Sequence, residues 1–212
     1  MIICGVDEAG RGPLIGPLMI AGVAIDEKDH YKLVQMGVKD SKQLSPRMRK
    51  ALSRKIRAIS RWKLVEVSPK EVDNSVLSKS DNLNWLEAKV TADILRELQP
   101  DKAWLDCPSP NLRAYRERVS NDIGEHKIKL IAEHKADENY PVASAASIIA
   151  KAARDDYMKK LESRLGLIIG SGYPADPRTQ KFLKEHGKTH PDIFRKSWAS
   201  WKAVSQMKLG EF

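Results

Sequence analysis

Two adjacent acidic residues near the start of the chain constrain the fold more than any other feature. Asp7 and Glu8 directly follow a short apolar run, residues 2–6, which is typical of a buried strand. A carboxylate at the end of a buried strand costs free energy unless a cation meets it, and a divalent metal ion is the obvious candidate. The alternative is a polar hairpin turn, because a second apolar run follows at residues 18–25.

A glycine-rich basic turn comes next, formed by Gly10, Arg11 and Gly12. The two glycines have no Cβ, so a phosphate or a sugar could approach the main-chain N–H groups closely. The guanidinium of Arg11 is a charged fork between them. A metal site beside a site for phosphate or sugar favours nucleic-acid chemistry.

Composition agrees with a polyanionic partner. The 212 residues include 37 Lys and Arg against 28 Asp and Glu, giving a net charge of +9. We find no apolar stretch of about 18 residues and no signal-peptide pattern, so we expect a soluble, cytoplasmic protein. Cys4 and Cys107 are too few for a disulfide framework or a zinc site. Nothing indicates an oligomer interface, and we expect a monomer.

Strand and helix signals alternate, which predicts the α/β class. Ser45 before Pro46 fits a helix N-cap followed by proline at the first helical position. The predicted strands cover residues 2–6, 18–25, 63–67, 103–105 and 127–131, and the predicted helices cover 45–60, 83–98, 142–165 and 177–186.

Two further aspartates could complete a metal site with Asp7 and Glu8. Asp106 ends a predicted strand, where the sites of sheet proteins gather. Asp137 precedes a helix that opens with small residues suited to close packing. For either residue a solvated turn or a helix cap is the alternative. Charge spacing alone does not rank them against the other aspartates considered, which are Asp40, Asp73, Asp155 and Asp176.

Five segments, in family order, resemble the type 2 ribonuclease H family (ribonuclease HII), in its archaeal form. They span residues 5 to about 187, and the opening segment is highly specific. The segments are GVDEAGRGP at 5–13, DSK at 40–42, NLN at 82–84, AASIIAK at 145–151 with Arg154 and Asp155, and GSGYP at 170–174 with Asp176 and Pro177.

The resemblance implies a ribonuclease H-like mixed sheet flanked by helices, with a catalytic domain over residues 1–168 and a C-terminal helical region and tail over 169–212. It implies an endonuclease that hydrolyses the RNA strand of RNA–DNA hybrids and cuts 5′ of single ribonucleotides in duplex DNA. The products would carry 5′-phosphate and 3′-hydroxyl ends. The implied cofactors are Mg²⁺ or Mn²⁺, two ions in all. The family's four acids map onto Asp7, Glu8, Asp106 and Asp137.

Substrate contacts follow from the same resemblance. Tyr173 would contact the ribose 2′-hydroxyl and stack its ring on the next deoxyribose, or it could instead cap the core. Gly10, Arg11 and Gly12 would read the sugar through the backbone. The residues expected to hold phosphates are Ser41, Lys42, Lys151 and Arg154, of which the last two could also be solvated on a helix face.

The C-terminal residues carry a separate signal. Gln206, Leu209 and Phe212 are spaced as in the clamp-binding peptide of replication proteins, although only one aromatic residue is present where two are usual. A functionless tail is the alternative. We expect Trp198 and Trp201, three residues apart, to pack against the main domain rather than to stack on bases.

Three functions of different classes are therefore open. The first is a metal-dependent ribonuclease, which motifs, charge and acid positions favour together. The second is a non-catalytic binder of hybrids, against which the four candidate acids argue. The third is a metal-dependent DNA nuclease or resolvase, for which the 2′-hydroxyl would be irrelevant.

Overall fold

A computed structural model of the protein describes residues 1–38 and 44–206, the last of these by its backbone alone. The strands are β1 (Ile2–Ala9), β2 (Leu18–Asp26), β3 (Arg61–Val67), β4 (Lys102–Asp106) and β5 (Lys129–Glu133). The helices are α1 (His30–Gln35), α2 (Pro46–Ile59), α3 (Pro69–Leu77), α4 (Leu83–Leu98), α5 (Leu112–Ile123), α6 (Ala136–Asn139), α7 (Pro141–Leu165), α8 (Pro177–His186) and α9 (Ala199–Gln206). Short 3₁₀ turns cover Glu27–Asp29 and Pro191–Ile193.

The five strands form one mixed sheet in the order β3-β2-β1-β4-β5. Strand β1 is antiparallel to β2 and parallel to β4, which is parallel to β5. The predicted α/β class is confirmed, and the antiparallel neighbour also accounts for the hairpin pattern. Strand β1 runs to Ala9 instead of ending at residue 6, because β2 pairs with it as far as Ala9 and Met19. The two acids therefore lie within the strand.

The four helices predicted from long periodic segments are present, and Ser45 caps α2 by accepting a hydrogen bond from the Met48 N–H. Other helices of the described residues were missed, although α3 carries a complete capping box between Ser68 and Glu71. The strand predicted at residues 127–131 lies two residues later, at β5. The missed helices are α1, α3, α5, α6 and α9.

By its internal contacts the chain divides into two units. Unit 1 contains Met1–Ala9, Met19–Glu66 and Asn84–Ala153, and unit 2 contains Gly10–Leu18, Val67–Leu83 and Arg154–Phe212. Unit 1 holds the sheet except for the end residues Leu18 and Val67. The division expected at residues 168 and 169 stays a prediction.

Close packing of α7 on β1 shapes the interior of unit 1. A Cβ on Gly5 would lie 2.2 Å from the Ala143 backbone nitrogen, so only glycine lets the helix approach this far. The first turns of α7 carry small, fully buried side chains, among them Ala143, Ala145 and Ala146. The small-residue opening of the helix thus has a packing function, as expected.

Unit 2 has a core of its own. Its buried residues come from the loop after β1, the second half of α7, and the C-terminal segments, and Trp198 and Trp201 pack against it. The packing role expected for the two tryptophans is therefore present within this unit. The buried members are Leu14, Ile15, Met158, Leu161, Ile169, Phe182, Leu183, Ile193 and Phe194.

No helix in residues 1–38 or 44–206 is both long and apolar enough to cross a membrane. The cellular location and the monomeric state stay predictions.

Candidate active site

Three of the predicted acids meet at one edge of the sheet in unit 1. Asp7 and Glu8 lie on β1, and Asp106 is the last residue of β4. The two strands are parallel neighbours, and Val6 lies opposite Leu105. Asp7 and Asp106, the next residue in each strand, are therefore side by side. One carboxylate oxygen from each of the three residues lies within 4.8 Å of the others. The register of the sheet therefore builds the cluster.

The fourth acid, Asp137, lies on the short helix α6 and is not one of the three whose oxygens lie within 4.8 Å of one another. Lys135 has a left-handed backbone, with φ of 60°, and turns the chain into α6 directly before Asp137. The N–H of Ala136 donates to Asp106 Oδ1 at 2.9 Å, which ties α6 to the end of β4. Asp137 is buried, and Lys151 Nζ lies 3.8 Å from its Oδ2. Its charge acts on Asp7 as well.

The ionisation of Asp7 shows how crowded the acids are. Burial, and next the charge of Asp106, raise the pKa of Asp7 to about 7, with a smaller contribution from Asp137. A hydrogen bond from Ser147 and the charge of Lys151 act in the opposite direction. Near neutral pH the cluster thus retains a proton unless positive charge is added. A divalent cation would supply that charge.

Aromatic and polar contacts hold the β5–α6 segment that carries Asp137. The Tyr140 hydroxyl donates to Glu133 Oε1 at 2.8 Å, and the Tyr140 ring stacks on Trp104 with centroids 5.0 Å apart. The His134 ring nitrogen Nδ1 lies 3.0 Å from the Cys107 carbonyl oxygen. These contacts of His134 and Tyr140 hold in place the segment on which Asp137 lies.

The donor set fits a hard divalent cation. Every candidate ligand is a carboxylate oxygen, the donor that Mg²⁺ and Mn²⁺ prefer, and neither cysteine is available as a ligand. Cys4 and Cys107 are buried, and burial raises the pKa of their thiols to about 12 and about 11. Asp7, Glu8, Asp106 and Asp137 are thus suited to hold such an ion.

In unit 2 the glycine-rich turn is held by its carbonyl groups. The Arg195 guanidinium donates to Gly10 O at 2.5 Å and to Arg11 O at 2.7 Å. The Trp198 indole N–H donates to Gly12 O at 3.0 Å. Because the C=O and N–H of a trans peptide point in opposite directions, the N–H groups of Arg11 and Gly12 point away from these donors.

Arg195 is the main residue that the sequence analysis missed. It is fully buried and also donates to the Gly16 carbonyl from two nitrogens, at 3.0 and 3.2 Å. A bridge between Ile15 and Phe194 and a bond from Arg195 N–H to Leu14 O, at 2.9 Å, align the two segments. The residues are about 180 positions apart in sequence, so no local pattern could have paired them.

A second arginine lies beneath Tyr173. Arg154 is 8% exposed, with its guanidinium 5.3 Å from the Tyr173 ring centroid, and donates to Ser171 O at 3.0 Å. Burial lowers the pKa of Arg154. A Cβ on Gly10, whose φ is +87°, would lie 2.6 Å from the Arg154 side chain. Arg154 is therefore buried rather than solvated, whereas Tyr173 is 44% exposed and does not cap the core.

Two of the other aspartates have structural roles. Asp73 accepts hydrogen bonds from the Lys196 and Ser197 N–H groups, at 2.7 and 2.9 Å. Asp176 caps α8, and its hydrogen bonds from Arg178 and Ser171 lower its pKa. The ring of His186, whose role the sequence left open, lies against that of Phe182 in α8, with centroids 5.1 Å apart and the planes tilted by 38°.

Some predicted residues cannot be placed. Asp40, Ser41 and Lys42 lie outside the described residues, as do Leu209, Phe212 and the side chain of Gln206.

Comparison with known proteins decides the family. A sequence model of the family "Ribonuclease HII" matches residues 4–201. The chain belongs to the ribonuclease HII family. Ribonuclease HII of Methanococcus maripaludis is 44% identical over 208 residues, which are 95% of this chain and 86% of that protein.

Solved structures of ribonuclease HII relatives agree in fold. Ribonuclease H2 of Pyrococcus horikoshii superposes with a TM-score of 0.90 at 39% identity, over the whole of both chains. The PCNA:RNase HII complex of Archaeoglobus fulgidus matches with a TM-score of 0.85 at 38% identity, over 97% of this chain and 96% of that one. The ribonuclease H-like fold expected from the motifs is confirmed, and so is the archaeal character of the resemblance.

Membership of the ribonuclease HII family gives the enzyme class. The protein is a metal-dependent nuclease, a hydrolase that cleaves the RNA strand of RNA–DNA hybrids.

Proposed function

We propose that the enzyme also incises duplex DNA on the 5′ side of a single embedded ribonucleotide, leaving 5′-phosphate and 3′-hydroxyl ends. The observation that carries this proposal is the glycine-rich turn of unit 2, whose backbone is fixed by Arg195 and Trp198. The acid cluster of unit 1 would hold the metal that cleavage requires. A backbone held in one position can distinguish a ribose from a deoxyribose by hydrogen bonds to the 2′-hydroxyl, whereas phosphate contacts alone cannot.

Asp7, Glu8, Asp106 and Asp137 are the residues that would hold two Mg²⁺ or Mn²⁺ ions. When bound, such ions lower the pKa of the attacking water and offset charge on the phosphate and the departing 3′ oxygen. The raised pKa of Asp7 supports this assignment, because carboxylates that repel one another are stabilised by a shared cation. Ser147 orients Asp7, and the Ala136 N–H orients Asp106.

Recognition of the ribose would fall to unit 2. The N–H groups of Arg11 and Gly12 are pre-oriented donors for the sugar or its phosphate. The exposed Tyr173 would place its hydroxyl on the 2′-hydroxyl, and Arg154 beneath the ring holds it in position. Lys151, which is paired with Asp137, would contact the phosphate being cleaved. Ser41 and Lys42 are expected to hold phosphates as well.

Cut-site mapping tests this proposal. The protein is incubated with Mg²⁺ and an end-labelled DNA duplex that contains one ribonucleotide, beside an all-DNA duplex and an EDTA control. We expect metal-dependent incision 5′ of the ribonucleotide and an intact all-DNA duplex. Cleavage of the all-DNA duplex would favour a DNA nuclease instead. Binding without incision in either Mg²⁺ or Mn²⁺ would favour a non-catalytic reader.

We also propose that the C-terminal residues bind a sliding clamp through Gln206, Leu209 and Phe212. The spacing of these residues supports it, and the Archaeoglobus fulgidus relative was solved as a complex with PCNA. Deleting residues 206–212 should leave cleavage of short duplexes unchanged and abolish co-elution with the clamp. Co-elution that survives the deletion would refute this proposal.

A further inference from the structure

Helix α2 in unit 1 carries an unusual charge pattern. Six of its 14 residues are Lys or Arg, and none is acidic. Arg47, Lys50 and Arg54 are all exposed and follow one another at i, i+3 and i+7, which places them on one face. Ala51 and Ala58 lie on the same face and are exposed as well. The outer surface of α2 is thus a flat strip of positive charge, which we call the α2 strip (Arg47, Lys50, Arg54).

Helix α5 of the same unit shows the contrasting arrangement. Arg113 donates to Glu117 and Arg118 donates to Asp122, each at 2.7 Å and each at i, i+4. These pairs are the usual way in which an exposed helix carries basic residues. Arg113 and Arg118 therefore contribute to the stability of α5 itself.

Helix α2 contains no acidic residue, so the α2 strip forms no such i, i+4 ion pair within its own helix. Like charges at i, i+3 and i+4 destabilise a helix, and basic residues in the first turn oppose the helix dipole. Arg47 and Arg49 occupy that first turn. A pattern that weakens the element carrying it is expected where function has selected the charge.

The end of α2 extends the same surface. Arg57 lies over the ring of Trp62, with the guanidinium carbon 4.2 Å from the centroid, and Trp62 is 38% exposed. Arg61, between them in sequence, is exposed. Positive charge thus continues from α2 into the start of β3 beside an accessible aromatic ring, a combination that suits nucleic acid.

We propose that the α2 strip binds the phosphate backbone of the duplex outside the cleavage site, and so sets how strongly the enzyme holds duplex of any sequence. Charge complementarity selects this partner, since the strip spans about 10 Å and the phosphates of one strand follow every ~3.4 Å of duplex axis. The inference extends the proposed function, because the duplex is the substrate of that reaction.

The salt dependence of duplex binding tests the proposed role of the α2 strip. A fluorescent 40-base-pair DNA duplex with one central ribonucleotide is titrated with the full-length protein in EDTA, between 50 and 200 mM KCl. In the variant Arg47→Gln/Lys50→Gln/Arg54→Gln, the negative slope of log K against log salt should become less steep by about 0.9 for each phosphate that is no longer neutralised. Binding at 100 mM salt should weaken about tenfold or more. The matched control Arg113→Gln/Arg116→Gln/Lys127→Gln removes the same charge from exposed positions and should retain the wild-type slope.

A charge-preserving variant, Arg47→Lys/Arg54→Lys, should retain affinity and slope. Equal slopes for the α2 variant and the wild type would overturn the inference, as would equal losses in the α2 variant and the control, since net charge alone would then explain binding. Cleavage by the wild-type protein in Mg²⁺ is measured in parallel. Its absence would contradict the proposed function, whereas the salt slopes judge the α2 strip independently.

Discussion

The acid cluster of unit 1 and the glycine-rich turn of unit 2 are built on opposite principles. At the cluster, burial and the charges of Asp106 and Asp137 all disfavour the ionised form of Asp7. At the turn, each carbonyl from Gly10 to Gly12 accepts a hydrogen bond from a donor beneath it. The cluster is therefore completed by a ligand, whereas the turn is complete by itself. This difference matches the proposed roles, which are metal binding for the cluster and ribose recognition for the turn.

Removing one charge from the cluster should have the largest effect. Asp7→Asn keeps the shape of the side chain but removes a metal-ligand charge, and we expect single-turnover cleavage to fall by about a thousandfold or more. Duplex binding measured in EDTA should be retained. Asp93→Asn, which alters an exposed acid on α4, should cleave at the wild-type rate. Normal turnover in Asp7→Asn would refute the site.

The repulsion in the cluster should also appear as a pH dependence of stability. The pKa of Asp7 is about 7 in the folded protein against 3.8 for an unperturbed Asp, so the folded state holds a proton that the unfolded state has released. Stability conferred by this proton is present below about pH 4 and is lost as pH rises to 7. The loss is on the order of 4 kcal/mol.

Denaturant unfolding in EDTA measures this pH dependence of stability. The free energy of unfolding of the wild type, relative to Asp7→Asn, should decrease across this window, and Mn²⁺ should remove the decrease. A difference between the two proteins that does not change with pH would contradict the electrostatic account of the cluster.

The turn should respond as a structural element. Arg195→Met would leave the carbonyls of Gly10, Arg11 and Gly16 without these donors, at a cost of about 3 kcal/mol in the free energy of unfolding. Arg195→Lys, which keeps the charge but not the planar fork, should lose less stability and still discriminate poorly between ribonucleotide-containing and all-DNA duplexes. The exposed Arg113→Met on α5 should behave as wild type. Full discrimination in Arg195→Lys would show that the fork does not position the turn.

The smallest effect is expected at Tyr173. Tyr173→Phe retains the ring over Arg154 but removes the hydroxyl proposed to contact the ribose, so the preference for a ribonucleotide should fall about tenfold, the value of one hydrogen bond. Tyr31→Phe alters another exposed tyrosine and serves as the control. Cleavage rates on matched duplexes measure the ratio, and an unchanged ratio would assign ribose reading to the turn alone.

Parts of this architecture could be predicted from sequence because they depend on local pattern. The apolar run before Asp7 and the strand before Asp106 marked two positions that the parallel pairing of β1 and β4 brings together. Asp137 was harder to predict, because its place depends on the left-handed backbone of Lys135 and on the hydrogen bond that the Ala136 N–H donates to Asp106, 30 residues earlier. The motif resemblance, rather than spacing, identified it.

Other features had no sequence signal or one that was overlooked. The capping box formed by Ser68 and Glu71 is a sequence pattern typical of a helix N-terminus, yet α3 was not predicted from it. Strand β1 was predicted three residues too short, because pairing with β2 overrides the polarity of Asp7 and Glu8. Arg195 acts across the fold, on carbonyls some 180 residues earlier, and a lone arginine after Phe194 has no periodicity to reveal it.

The most direct measurement is Mn²⁺ binding to the wild type, Asp7→Asn and Arg195→Lys, followed by electron paramagnetic resonance in the presence of an uncleavable duplex. The account predicts that Asp7→Asn loses bound Mn²⁺ and that Arg195→Lys binds it as the wild type does. Equal Mn²⁺ binding by the wild type and Asp7→Asn would contradict the claim that the carboxylates at the end of β1 hold the metal.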